Sequence, residues 1–331
     1  MKALVYTSVG GPILLRDLAP PECPPGGAVI EVRATGVCRS DWHAWRGHDP
    51  TPLPHVPGHE FAGVLTSVGG DIDGFAVGDR VTAPFVNGCG RCDYCRSGNA
   101  QVCPDQTQPG FTHHGSFAER VVVRAAATNL VRLPHEIDFV AAAALGCRFA
   151  TAFRALRGLR PGATVAVFGC GGVGLSAVMI AVALGARVVA VDPSPAALSA
   201  AVELGAVAGE PVDVDLAVDA FGSAATATAS VRSLRRGGRH VQVGLMLGED
   251  ARAALPWDLV VARELEIAGS HGMAAVDYPP MLDLVVSGRL DPRRMVGAVI
   301  PLPEAGEALA AMDDPVARAA GIVVATTGYA G

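Results

Sequence analysis

The stretch from Thr164 to Ala186, "TVAVFGCGGVGLSAVMIAVALGA", carries no charged residue, yet glycines at 169, 171, 172 and 174 interrupt it. An apolar window of about 19 residues is the length that crosses a bilayer as one helix. Here the glycines divide the run into a short strand, a turn and a helix over Val173–Leu184, so no membrane span is expected. Gly169, Gly171 and Gly174 form G-x-G-x-x-G directly after the strand. In that setting the first glycine allows a tight turn, the second lets backbone approach a pyrophosphate, and the third packs helix against strand. The helix start offers free N–H groups and a positive dipole end to phosphates. The next strand, "RVVAVD", ends in Asp192, 18 residues after Gly174. A carboxylate there can accept both hydroxyls of an adenosine ribose and repels a 2′-phosphate. "PSPAAL" follows it and offers no Arg or Lys, so NAD is favoured over NADP. The alternative is a glycine-rich packing turn followed by a surface Asp.

Around this motif the chain alternates between strand and helix. Strands are expected at 164–169, 187–192, "LAVDAFG" (216–222), "RHVQVG" (239–244) and "LEIAGS" (265–270), with helices at Val173–Leu184 and Pro195–Leu204 between them. Such alternation predicts an α/β fold with a doubly wound parallel sheet. The first third is instead β-rich. "AVIEVRATGVC" alternates from Ala28 to Cys38, and "GSFAERVVV" over Gly115–Val123 reads as another strand. The tail is mixed, with helices at Tyr278–Ser287 and Glu304–Met312 and a last strand near Gly321–Ala325. At 331 residues the chain has room for two domains. Its net charge of −6 argues against a nucleic-acid partner, which needs a basic surface.

"NGCGRCDYCRSGNAQVC" places Cys89, Cys92, Cys95 and Cys103 in a C-x2-C-x2-C-x7-C pattern. Short hairpins of this spacing deliver thiolates to tetrahedral zinc in pairs and leave no open position. Disulfides, or a site that has lost its metal, are the alternatives. "MKALVYTSVGGPI" reaches glycines too early for a signal peptide's apolar core. The expected compartment is then the cytoplasm, where thiols stay reduced. A second group is dispersed: Cys38, Ser40, Asp41 and His43 in "GVCRSDWH", His59 and Glu60 in "VPGHEFAG", and Cys147 in "LGCRFATAFRAL". Two thiolates and one imidazole leave zinc's fourth position open for water or an alcohol oxygen.

With "GVCRSDWH", "PHVPGHEFAGVLTSVG", "GDRV", the four-cysteine loop, "GSFAE", Cys147 and the fingerprint with Asp192, the chain resembles the zinc-dependent alcohol dehydrogenases of the medium-chain dehydrogenase/reductase superfamily, nearly end to end. The resemblance implies a GroES-like, β-rich catalytic domain from residues 1–148 and 272–331, a Rossmann NAD-binding domain from 149–271, and an active-site cleft between them. It implies two zinc ions per chain. Cys38, His59 and Cys147 would hold the catalytic one; Cys89, Cys92, Cys95 and Cys103 would hold the structural one. Asp41 would orient His59, and Glu60 would lie close behind the metal. Ser40 would take the alcohol proton and pass it through the cofactor ribose to His43. Arg39 would contact the pyrophosphate. Gly169, Gly171, Gly172, Val173, Gly174, Asp192, Phe221, Gly244 and Leu245 would line the cofactor. Phe85 would line the substrate pocket, with Trp42 or Trp45 in the same role. Zinc lowers the pKa of a bound hydroxyl by several units, so an alkoxide forms near neutral pH and pushes hydride to the nicotinamide. The substrate would be an uncharged primary or secondary alcohol, benzylic or medium-chain, or its carbonyl product. The family pairs through the cofactor domain, so a homo-oligomer is expected: a tetramer for a bacterial source, otherwise a dimer.

Two departures stand out. The family commonly carries "GRxV" near its carboxyl terminus, where Arg binds the cofactor phosphate; "AAGIVV" places Ile322 there, so that contact is expected to be missing. Only eleven residues, 205–215, separate Leu204 from the "LAVDAFG" strand, too few for the helix the family places in this connection. His113 and His114 precede a strand outside every ligand pattern and read as loop or pocket-wall residues, and Cys23 and Cys170 as unassigned. A polyol dehydrogenase, which would need further polar groups in the cleft, is the rival within enzymes. A zinc-free reductase of activated double bonds is disfavoured by the intact ligand set. A non-catalytic zinc protein is the rival outside enzymes.

Overall fold

The computed structural model describes residues 1–70, 72–314 and 321–328. The chain divides into two compact units, Met1–Cys147 with the chain from Gly272 onward, and Arg148–His271.

The second unit is an all-parallel sheet of six strands. Across the sheet they run Val207–Ala208, Arg187–Val191, Thr164–Phe168, Val214–Asp219, Leu234–Gln242 and Glu266–Gly269. The order reverses after Thr164–Phe168, and in such sheets ligands bind at the carboxyl ends of the strands beside the reversal. Val165–Phe168 are buried because this interior strand of a parallel sheet has crossover helices packed on its faces. Helix Gly172–Ala183 follows at once, and all but five of its residues are buried. That explains a stretch hydrophobic all round without a membrane. Among the described residues no helix is long and apolar enough to cross one. No helix forms between 205 and 215. The short strand Val207–Ala208 extends the sheet edge instead, and Val207 and Val212 stay exposed. Ala166, Phe168, Val214, Ala217, Val231, Leu234 and Leu265 form a core cluster under the sheet.

The first unit is built on strand Ala28–Val37. It pairs antiparallel with Glu60–Val68 along most of its length, with Arg120–Val123 at its start and with Ile322–Thr326 at its end. With partners on both sides and clusters on both faces, this strand is buried at eight of ten positions. The alternation expected from its sequence is therefore not realised as one wet and one dry face. Of "GSFAERVVV" only Arg120–Val123 is a ladder strand; Gly115, Ser116 and Phe117 donate to Val56, Gly58 and Pro57 carbonyls and hold the loop ahead of His59. "LAVDAFG" likewise ends as a strand at Asp219, whose carboxylate accepts the Phe221 and Gly222 N–H groups and forms the turn. Helices occur at Tyr278–Val286 and Ala305–Ala310.

Candidate active site and metal centres

Cys38 follows the central strand and caps helix Arg39–Trp45. The third residue of that helix, Asp41, is fully buried and aims its carboxylate back along the chain. Its Oδ2 accepts the Cys38 N–H at 3.2 Å, and its Oδ1 accepts the Gly58 N–H at 2.9 Å. The same Oδ1 lies 2.9 Å from His59 Nδ1, so the ring's orientation and tautomer are fixed. His59 Nε2 is buried without a hydrogen-bond partner. The ligand atoms of Cys38, His59 and Cys147 lie within 4.8 Å of one another. Burial opposes a charge on His59, but Asp41, and then Cys38, raise its pKa well above the usual range. Two thiols, an orphaned imidazole nitrogen and a carboxylate behind the ring match the donor chemistry of a catalytic zinc.

Cys147 reaches the cluster through a five-residue π turn, Leu145–Phe149, a geometry frequent at functional sites. Buried Glu60 accepts the Cys147 N–H at 3.1 Å, and Tyr278 donates to the Gly146 carbonyl at 3.2 Å. Glu60 fits a slot between two glycines: a Cβ on Gly36 would stand 2.6 Å from its Oε2, and one on Gly146 3.0 Å from its Cα. Asp41→Asn would turn one of the two buried acceptor oxygens into a donor facing N–H groups. It is expected to cost about 2 kcal/mol of stability, read as a lowered thermal midpoint.

Ser40 Oγ lies 3.9 Å from Cys38 Sγ. The Arg39 guanidinium stacks on Trp42 at 4.4 Å and donates to the Met312 carbonyl, while Trp42 Nε1 donates to Asp313. The Phe85 ring meets His59 edge-on at 5.8 Å, and Phe111 lies 5.1 Å from the same ring. Trp45 is not a pocket residue: it is buried in the core with Leu4, Tyr6 and Phe117 and donates to the Gly11 carbonyl. His113 contacts the Val122 carbonyl through Nε2, and His114 faces the His55 ring. Neither joins a metal-ligating group among the described residues.

The four cysteines of the loop also converge within 4.8 Å. Backbone N–H groups of Arg91 and Cys92 pull the Cys89 thiol down to about 6, while burial pushes Cys95 up to about 12. Four sulfurs gathered on one point match the donor set of a closed tetrahedral zinc site.

In the second unit Asp192 binds the fingerprint turn to the end of its strand. Its Oδ2 accepts the Cys170 N–H at 2.7 Å and its Oδ1 the Ser194 N–H at 2.8 Å. Gly174 is held by close packing: a Cβ there would lie 1.8 Å from the Gly169 carbonyl oxygen. Burial pushes the Cys170 thiol up to about 12, as suits an inert packing residue. Cys23 points its sulfur at the Gly27 carbonyl. Phe221 and Leu245 are exposed at the carboxyl ends of their strands, with Gly244 packed against Phe221.

Residues 24–135 match the alcohol dehydrogenase GroES-like domain, and residues 172–287 match the zinc-binding dehydrogenase family. An alcohol dehydrogenase of Geobacillus stearothermophilus is 38% identical over 313 residues, spanning 88% of this chain and 90% of that protein. The chain belongs to the zinc-binding alcohol dehydrogenases. In structure it is similar to the alcohol dehydrogenase TADH from Thermus sp. ATN1, with TM-score 0.90 and 32% identity over 98% of this chain and 99% of that one. An NAD-dependent alcohol dehydrogenase aligns with TM-score 0.84 and 32% identity over 99% and 100% of the two chains.

Three residues that sequence reasoning did not single out stand beside these sites. Phe111 needs the fold to reach His59. The Arg148 stem lies over Gly172, where a Cβ would be 2.8 Å from its Cδ, so a basic side chain sits at the start of the fingerprint helix. Asp219 is fully buried and also accepts from Thr226 and Gln242; the D-x-x-G spacing after a strand was its signal.

Proposed function

We propose that this chain interconverts uncharged primary or secondary alcohols and their aldehydes or ketones, with NAD as hydride partner. The observation that carries the reading is the gathering of Cys38, His59 and Cys147 around one point with Asp41 locked behind the ring. When bound, zinc supplies a Lewis acid that brings an alcohol hydroxyl's pKa toward neutrality, and NAD takes up the hydride. Cys38 and Cys147 provide the thiolates and His59 the neutral nitrogen, while Asp41 keeps the His59 Nδ1 proton in place. Ser40, whose Oγ lies 3.9 Å from Cys38 Sγ, would accept the alcohol proton, and His43 on the same helix would receive it on its way to solvent. Phe85 and Phe111 wall the His59 side with apolar rings, which favours aromatic or medium-chain alcohols over polyols. The four thiols of the loop would hold a second zinc in a closed shell with no position open to substrate. A panel of alcohols assayed for NADH and NADPH formation, with zinc content per chain, tests the reading. Activity confined to polyols, or no cofactor reduction by any alcohol, would sink it.

Asp192 sets the cofactor preference. Hydrogen bonds to a charged acceptor are worth about 1.5–3 kcal/mol, so Asp192→Ser is expected to weaken NADH binding about tenfold or more. NADPH binding should fall less, because the repulsion of its phosphate is removed at the same time. Fluorescence titration of both cofactors decides this: an NADH affinity unaltered by the substitution would show that Asp192 does not meet the ribose.

A further inference from the structure

Helix Arg39–Trp45 ends in a turn that returns the chain over its own last residues. The Gly47 N–H donates to the Ala44 carbonyl at 3.0 Å, and the His48 N–H donates to the His43 carbonyl at 2.9 Å. Gly47 takes the left-handed conformation, φ +79°, that such a closure requires of the residue after the cap. In this motif the residue after the glycine normally meets the residue five positions back through an apolar contact. Here the two side chains are imidazoles. His43 Nδ1 and His48 Nδ1 stand 3.0 Å apart, with ring centroids at 5.3 Å. At that distance one ring donates its Nδ1 proton and the other accepts it.

We infer that His48 is the exit group through which the proton received by His43 leaves for solvent, an inference that rests on the Ser40–His43 relay proposed above. His43 is half-buried and His48 exposed, so the pair runs from the site to water. Trp42 packs against both rings in T-shaped contacts, at 5.0 and 5.4 Å, and limits their freedom. Burial lowers the His43 pKa, and a charge on His48 lowers it further, while Cys38 and Asp49 act in the opposite sense. The other charges on this surface are occupied: Arg39 lies on Trp42, and Asp313 binds Trp42 and Arg46. A proton reaching the free ring nitrogen of His43 thus finds a destabilised resting place. One proton enters at His43, the bridging proton crosses from His43 Nδ1 to His48 Nδ1, and one leaves from His48 Nε2. No electrons move, and the pair is neutral before and after.

The test uses the full-length zinc-loaded enzyme, with His43→Gln and His48→Gln compared in alcohol oxidation. His48 is exposed, so its substitution leaves the core intact. His48→Gln is expected to lower kcat roughly tenfold near pH 7, less than the 10²–10⁴-fold full effect of a general acid–base group because water substitutes for it in part. The loss should shrink as pH rises and hydroxide takes over, imidazole buffer should restore the rate, and NADH affinity should not change. If His43→Gln is slowed and rescued by imidazole but His48→Gln behaves as wild type, His48 is not the exit. A slowed His48→Gln enzyme with an unaltered pH profile and no rescue would make His48 structural and overturn the inference equally. If neither substitution has an effect, the relay itself fails, and this inference with it.

Discussion

Cys38→Ala is expected to lower alcohol-dependent NADH formation by at least about 10³-fold and to remove one zinc per chain, with the circular dichroism spectrum unchanged. The fold should survive at a modest cost, because the sulfur caps only the first turn of helix Arg39–Trp45. Ala loses the side-chain half of the cap, about 1 kcal/mol, but Asp41 still accepts the residue's N–H. The chemistry should not survive. Three protein ligands are the minimum for a catalytic zinc, and the thiol removed is nearly fully buried beside an imidazole that has no other partner at Nε2. A Lewis acid is worth several kcal/mol of transition-state stabilisation; a loss of about 4 kcal/mol corresponds to about 10³ in rate. His59 then keeps its Asp41 hydrogen bond but faces one thiol instead of two, which lowers the site's pull for any cation. Residual activity near wild type in a folded, zinc-depleted Cys38→Ala protein would remove the mechanism proposed here, whatever the family assignment.

What could be read in advance divides along a physical line. The second unit was legible because its information is local. Strand, turn and helix at 164–184 are adjacent in sequence, and each glycine's task follows from its immediate neighbours. The missing helix at 205–215 was legible for the same reason: eleven residues must carry the chain from one strand to the next. In the first unit, pairing partners come from residues as far apart as 37 and 323, and no local window shows them. Strand Ala28–Val37 alternates in chemistry, yet core clusters cover both of its faces, and these are assembled from distant parts of the chain. The dispersed ligands could be named through the family resemblance, but not the π turn that brings Cys147 to Cys38, nor Phe111 against His59. His48 lies between these cases. A glycine closing a helix predicts the return of the next residue, yet only the structure shows that two ring nitrogens meet.

Cys103→Ala is expected to lower the stability of the first unit by about 5 kcal/mol and to release the second zinc, because the loop it closes has little regular structure of its own. Between the paired Asn87 and Thr107, the loop contains one four-residue helix, Asp93–Arg96, with no buried residue, and a single 3₁₀ turn, Ala100–Val102. At its base Asn129 bonds both the N–H and the carbonyl of Gly88. Cys103 is its most buried sulfur, lying 3.6 Å from Cys92 Sγ and accepting the Cys89 N–H at 3.4 Å. Metal affinity of such a site is folding free energy, about 10–16 kcal/mol for short zinc-binding peptides, and three remaining ligands with a lost corner retain only part of it. For a unit of this size about 5 kcal/mol corresponds to a midpoint lowered by about 10–20 °C. Limited proteolysis should then cut within residues 88–106 of the variant while the wild type resists. Cys89→Ala should give a smaller loss, because Cys89 is less buried. Equal stability and an uncut loop in the Cys103→Ala protein would mean that Asn129 and the Asn87–Thr107 pair suffice, and that the four-thiol cage is dispensable for the fold.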